Sequence, residues 1–526
     1  MLDAAIIAAY FLTVFAIGLY HSRKKDTTRE YFLAGGHVGW FAVGASLFST
    51  NISSEHFIGL AGAGATTGLA TSCYELSAAF CLFLLAWLFL PHYMRSKVFT
   101  MPEFLEKRFD GRSRWYLTMV SLFAYVFTKI SVHLYAGAIL MREVAGWDFL
   151  TTSILLVIAT GIYTISGGLA AVIYTDLFQT FVLITGAVVL SVIGLDKAGG
   201  FAGLRAALPS DFFHMIKPAS DPAFPWPGTT MGVIILGIWY WCTDQSIVQK
   251  TLSAKNLSAG RKGSFFCAAL KVLPVFCLVL PGLIAKTLYG AEITGDNAFP
   301  TLVVKLMPPG LKGLMVAALM AALMSAMSSV LNSCSTLITM DVYKRTHPHK
   351  NEKQLVHFGR LTTGVIVGVS ILWIPVIPYM SGELYQYLQS IQAEVAAPIT
   401  AVFLVGILWP GATARSAIVT LVTGGIIGAV RFLLDVAHNA LKWDIGPLTR
   451  LVDFSFLNFA VIVFAFCVVL MIAVSKIDRR PTRAKIAELT LDWSHQHFQH
   501  VRGTAGDVIF TLTVTATVLG IWIYFA

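Results

Sequence analysis

Charged and ionisable side chains set inside long apolar runs are costly to place, so each marks a candidate site for binding or ion handling. In this chain they are Glu55, His56, Glu75, Lys129, Asp176, Asp244, Lys271 and Glu394. Glu75 follows Tyr74 at the start of one apolar run, and Lys271 sits in AALKVLPV. With Asn51, His56 and Gln389 they offer both donors and acceptors, which is what a polyhydroxylated ligand requires. Rings at Tyr74, Tyr240, Trp241 and Tyr385 could cover the apolar face of a sugar ring, while plain core packing is the competing account of aromatic residues at helical spacing. For Lys129 and Glu394 the competing account is a buried ion pair that locks two helices together.

These residues cluster where two apolar runs are interrupted. ASLFSTNISSEHFIGLAGAGA brings Ser49, Thr50, Asn51, Ser53, Ser54, Glu55 and His56 to mid-run, and MGVIILGIWYWCTDQSIV does the same with Trp239 to Gln245. Unwound backbone at membrane depth is tolerable only where it lines a cavity or is covered by protein. Broken helices at matching places in two halves point to a transport site at an inverted-repeat interface. Counting the first broken run as core helix one, the second falls at core helix six, the spacing of a five-plus-five repeat.

The elements that must hold these breaks are transmembrane helices. Of 526 residues 56% are hydrophobic and 13% charged, and mean hydropathy is +0.72, far from the composition of a water-soluble domain. About fourteen runs of roughly 20 residues are long enough to cross a hydrocarbon core. They lie near 3–21, 39–68, 72–94, 116–141, 149–172, 175–196, 229–250, 263–288, 310–342, 357–379, 384–408, 414–434, 453–475 and 505–525. Both faces of runs such as ILLVIATGIYTI are apolar, which excludes a barrel. The first run follows Met1-Leu2-Asp3, with no basic region, so it is expected to stay as a helix. A single membrane domain is expected over 1–526, with a peripheral helix 3–21, repeats at 39–196 and 229–408, and peripheral helices in 414–525. The polar stretch 476–504 is either a linker or a short amphipathic surface helix.

Orientation follows from the basic residues. With the N-terminus outside, inward loops hold about 26 of the 38 Lys and Arg residues, among them Arg108, Lys250 and Arg261. Both termini are then expected to face outward. The net charge of +10 is accounted for by this bias, and no basic folded face suggests a nucleic-acid partner. The cysteines all fall in apolar runs with no metal or redox spacing. No HExxH, GxSxG or GxxxxGK[ST] motif occurs, so an enzyme is not expected.

Seven strings in order between about residues 30 and 410 carry a family resemblance: EYFLAGG, WFAVGASLFSTNISSEHFIGLAG, FTKIS, YTISGGLAAVIYTDLFQT, IWYWCTDQSIVQ, LNSCSTLITMDVYK and LYQYLQSIQ. They closely resemble the sodium/glucose cotransporters, a branch of the sodium:solute symporter family. The resemblance implies an all-α LeuT-type fold, with one helix before ten core helices and three after. It implies symport of a glucose- or galactose-like sugar with Na+ as coupling ion, in a multi-pass cell-membrane protein. The implied sugar site is Asn51, His56, Glu75, Tyr240, Trp241, Lys271 and Gln389, with Tyr240 as inner gate and Tyr385 over the sugar. The implied sodium ligands are the carbonyls of Ser49, Ile52 and Ala322 and the hydroxyl of Ser325. A second sodium site, used by some relatives, maps to Thr50, Asp176, Ser328 and Ser329, where a structural Asp176 is the competing account. The chain departs from the family at Gly237 and Ala78, which bear on the sugar, and at Ala326, which removes a sodium-ligating hydroxyl. Symport of another polyol or organic solute and an uncoupled sugar sensor or facilitator remain the alternatives. Sparse outward loops without cysteine pairs favour a bacterial inner membrane.

Overall fold

The computed structural model describes residues 2–21, 26–53, 55–375, 384–479, 481–482, 486–491 and 503–526, with backbone alone for 143–145, 321, 384–388 and 440. In hydrocarbon each peptide group must find its partner within its own segment, which favours helices. The described residues are helices and connectors, and their only extended pairings are two isolated bridges, Val38 with Ala254 and Lys217 with Pro225.

Helix α1 (Leu2–His21) precedes the first broken span, α2 (Trp40–Asn51) with its continuation from Glu55 to Thr67. Then come α3 (Cys73–Leu84), α4 (Gly111–Ala124) and α5 (Phe149–Lys197). The second half opens with the other broken span, α6 (Val233–Ile238) and α7 (Gln245–Leu252), followed by α8 (Leu257–Leu270), α9 (Leu311–Leu337), α10 (Glu352–Trp373) and α11 (Leu384–Leu408). Helices α12 (Ala414–Asp435), α13 (Phe456–Ile477) and α14 (Ala505–Tyr524) close the chain. The 476–504 stretch falls mostly outside the described residues.

Among the described residues, eleven helical stretches are long and apolar enough to cross a membrane, and the pair Gly228–Thr243 and Gln245–Leu252, bent by 48°, makes a twelfth. Two of the eleven are long enough for two crossings. Helix α5 has 49 residues, about 73 Å if straight, more than twice a hydrocarbon core. Gly168 divides it at φ 58°, ψ −159°, a conformation open to glycine and strained for other residues. The stretch Glu55–Ser96, 42 residues long, divides at Gly68. With those divisions, and α2 joined to the helix resuming at Glu55, the spans number fourteen. Core helices one and six are the broken ones, as the five-plus-five pattern requires.

Large apolar side chains cover the surface, and charged groups lie buried within the apolar core. Leu12, Leu372 and Val469 are at least 66% exposed, whereas Asp176, Lys250 and Lys271 are fully buried. Helices α2 and α8 approach through glycines: a Cβ on Gly44 would lie 2.6 Å from the Gly263 carbonyl oxygen. Such small-residue contacts let helices close up without hydrophobic drive, and this one sets Asn51, ending α2, beside Lys271, which follows α8.

Three basic residues assigned to inward loops are buried instead. Arg108 donates to the carbonyls of Gly406 (2.7 Å), Trp409 (3.1 Å) and Ala412 (3.1 Å), satisfying groups left open where α11 ends. The Arg261 guanidinium lies 4.7 Å from the Trp87 ring centroid. Lys250 enters the polar core described below.

Candidate functional site

Three wide π-helical turns carry polar residues into the middle of the bundle: Glu55–Leu60, Tyr125–Lys129 and Trp239–Thr243. Such turns insert a residue into the ladder, redirect side chains and recur at functional sites. At the last of them the Asp244 amide donates to the Trp239 carbonyl at 3.0 Å. The chain then extends at Asp244, φ −73°, ψ 128°, and its carboxylate caps α7 by accepting the Ser246 amide at 2.9 Å. Lys129 pairs with the same carboxylate at 2.8 Å, and the Tyr125 hydroxyl donates to it at 3.0 Å. Lys129 and Glu394 are each ion-paired, though not in a Glu-Lys pair: Lys129 meets Asp244 and Glu394 meets Arg431.

Between the two breaks lies a small, partly open cavity. Asn51, Glu55 and His56 reach it from the first break, Tyr74 and Glu75 from α3, and Tyr240 and Trp241 from the second break. Lys271 and Gln389 complete its polar wall. Every residue expected to bind solute lines it except Tyr385, whose side chain lies outside the described residues, as does Ser54. Lys271 donates to Asn51 Oδ1 and pairs with Glu75 Oε2. The other Glu75 oxygen is 3.3 Å from His56 Nε2, and His56 Nδ1 is 3.7 Å from Glu55 Oε1. Beside this chain of polar groups, the Lys271 ammonium sits 5.3 Å from the Trp241 ring centroid, and Trp241 meets Tyr240 edge-on at 5.2 Å.

Gln392 and Glu55 also line the cavity and were absent from the expected ligand set. Gln392 follows Gln389 by three residues, one helical turn, so its shared face was readable from spacing. A second, smaller pocket is lined by Thr50, Lys129, His133 and Ala326. Glu55, Tyr240 and Gln392 border both cavities and partition them.

The residues expected at the sodium positions come from the end of α2, from α9 and, for Asp176, from α5, three helices in mutual contact. Ser49, Ile52, Ala322 and Ser325 are each at most 1% exposed. The Ser325 hydroxyl donates to Asp176 Oδ1. Ser328 and Ser329 turn their hydroxyls back to the Ser325 carbonyl, at 2.8 and 3.0 Å, and Ser329 also lies 3.3 Å from the Thr50 hydroxyl. Asp176 Oδ2 accepts from Ser46 at 2.6 Å. The missed member of this cluster is Lys250, paired with Asp176 at 2.7 Å and bonded to Thr50. The signal for it was its place six residues beyond Asp244, still within the helical run QSIVQKTL rather than past its end.

Residues 31–424 match the sodium:solute symporter family. The chain belongs to this family. Sodium-coupled solute symport by a multi-pass membrane protein is accordingly its class of activity. This symporter is 40% identical to sodium/myo-inositol cotransporter 2 of Bos taurus, over 94% of its own length and 79% of the relative's. It is also 40% identical to sodium/glucose cotransporter 4 of Danio rerio (95% and 82% covered) and to sodium/glucose cotransporter 1 of Oryctolagus cuniculus (90% and 78%). Its fold matches that of a Na+-coupled sialic acid symporter in a substrate-bound outward-open state, with a TM-score of 0.79, 24% identity, and 92% and 99% of the two chains covered.

Proposed function

We propose that this symporter moves a glucose- or galactose-like monosaccharide together with sodium by alternating access. The observation that carries the reading is one cavity walled by Asn51, His56, Glu75, Lys271 and Gln389 beside the Tyr240 and Trp241 rings. Glu75 and Lys271 are paired with each other, so their charges are largely spent within the wall. A neutral solute with many hydroxyls can add to such a pair as donor and acceptor without bringing a charge of its own into the membrane. An anionic solute would meet both Glu55 and Glu75. Gate and sodium roles follow the family pattern: Tyr240 closes the inner side, and Ser49, Ile52, Ala322 and Ser325 hold the coupling ion.

The driving force is sufficient. One sodium moving through about 100 mV releases about 2.3 kcal/mol, and a tenfold gradient adds about 1.4 kcal/mol. Together these sustain several hundredfold accumulation at one sodium per sugar. A cyclic polyol is the second reading, favoured by the myo-inositol cotransporter among the relatives and by the small Gly237 and Ala78 on the cavity wall. We place both termini outside, on the basic-loop bias, and the protein in a bacterial inner membrane, on its sparse outward loops without cysteine pairs.

The test is uptake of labelled glucose, galactose and myo-inositol into proteoliposomes under sodium, potassium and proton gradients, with Gln389→Ala alongside. Sodium-driven accumulation of a hexose, with KM raised about 2- to 10-fold in the variant for one lost hydrogen bond, is expected. Binding without accumulation under any gradient would replace symport by a sensor or facilitator.

A further inference from the structure

Outside the solute cavity, the ammonium of Lys250 sits among three oxygen atoms. It is fully buried. Its oxygen partners come from two other elements: Asp176 Oδ2 of α5 at 2.7 Å, and from α2 the Thr50 hydroxyl and the Ser46 carbonyl, the latter at 3.4 Å. Around them, Ser325 of α9 donates to Asp176 Oδ1 and Ser46 to Oδ2, while Ser329 touches Thr50. A carboxylate, a hydroxyl and a carbonyl converging on one point form an oxygen donor set suited to a hard cation, and here the cation at that point belongs to the chain.

We propose that Lys250 is a tethered cation that occupies the Asp176 position where a second sodium would otherwise bind, so that this symporter carries one sodium per solute. The inference rests on the symport reading above. Its physical basis is charge balance. The Asp176 carboxylate, buried and surrounded by helices, calls for one balancing positive charge nearby. Lys250 already supplies it from a covalent stem, and a sodium entering the same oxygens would meet an ammonium within contact distance. The ammonium also ties core helix six to core helices one and five, at the inner side of the Asp244 break. A mobile ion would leave those contacts at each cycle, whereas the lysine travels with its helix and returns.

The experiment is the ratio of charge moved to solute taken up, measured in proteoliposomes under voltage control with the intact protein and with Lys250→Met. The native protein should move one charge per solute, with hyperbolic dependence on sodium. Lys250→Met leaves Asp176 to recruit an ion, so its ratio should rise to two and its sodium dependence become sigmoidal. Where that variant does not reach the membrane, the charge-free pair Lys250→Met with Asp176→Asn should restore it at a ratio of one. A ratio of two in the native protein, with uptake intact, overturns the tethered-cation assignment alone. A ratio unchanged in Lys250→Met overturns it as well. No sodium-driven uptake of any solute would overturn the symport reading and this inference with it.

Discussion

At the scale of single residues, the cavity wall is tuned by what is small. Gly237 and Ala78 line it, and the space beside Gly237 is already taken. A Cβ there would lie 2.6 Å from Cys81 Sγ, and Cys81 is itself fully buried. Gly237→Ser should therefore lower stability by about 1–3 kcal/mol through overpacking, and Cys81→Ala in the same chain should recover most of it. Thermal unfolding in detergent checks both, and an unshifted midpoint for Gly237→Ser would show that Cys81 yields freely. Most of this wall was legible in the sequence, because polar residues in apolar runs have few reasons to be there. The Cys81 contact was not, since the two residues lie 156 positions apart and neither breaks an apolar pattern.

At the scale of elements, the break in core helix six depends on Asp244. Its carboxylate caps α7, pairs with Lys129 and accepts the Tyr125 hydroxyl. A cap alone contributes about 1 kcal/mol, whereas stranding a buried partner costs about 3–5 kcal/mol. Asp244→Ala should thus destabilise the protein by the larger amount and stop transport. Adding Lys129→Met should return part of the stability because no charge is then unpaired. Thermal unfolding of the single and double variants is the check; additive losses would mean that the pair is not energetically coupled. Both residues stood out in the sequence as ionisable groups within spans, but their pairing required the π turn Tyr125–Lys129 to face the break.

At the scale of the whole molecule, topology is the testable property. The inner loops are expected to include Lys350 and the outer ones Lys442, and both are exposed. All seven native cysteines are buried, so an impermeant thiol reagent should leave the native protein untouched. Lys442→Cys should label on intact cells, and Lys350→Cys only after permeabilisation. The opposite pattern would invert the orientation. The burial of Arg108, Lys250 and Arg261 removes three charges from the inward count without changing its sign, since most of the rest stay in loops.

Composition and run length by themselves determined that the chain is a helical membrane protein with two polar breaks, because hydrocarbon permits few other arrangements of backbone. Motif spacing supplied the repeat, the family and most of the polar wall, since those properties are local to a dozen residues. What the tertiary structure decided is pairing. Whether Lys250 is a loop charge or the counter-ion of Asp176, and whether Lys129 meets Asp244 or another group, depends on which helix faces meet across the bundle. A one-dimensional hydropathy pattern records how deep a residue lies but not its azimuth toward a neighbour, and buried electrostatics turns on that angle.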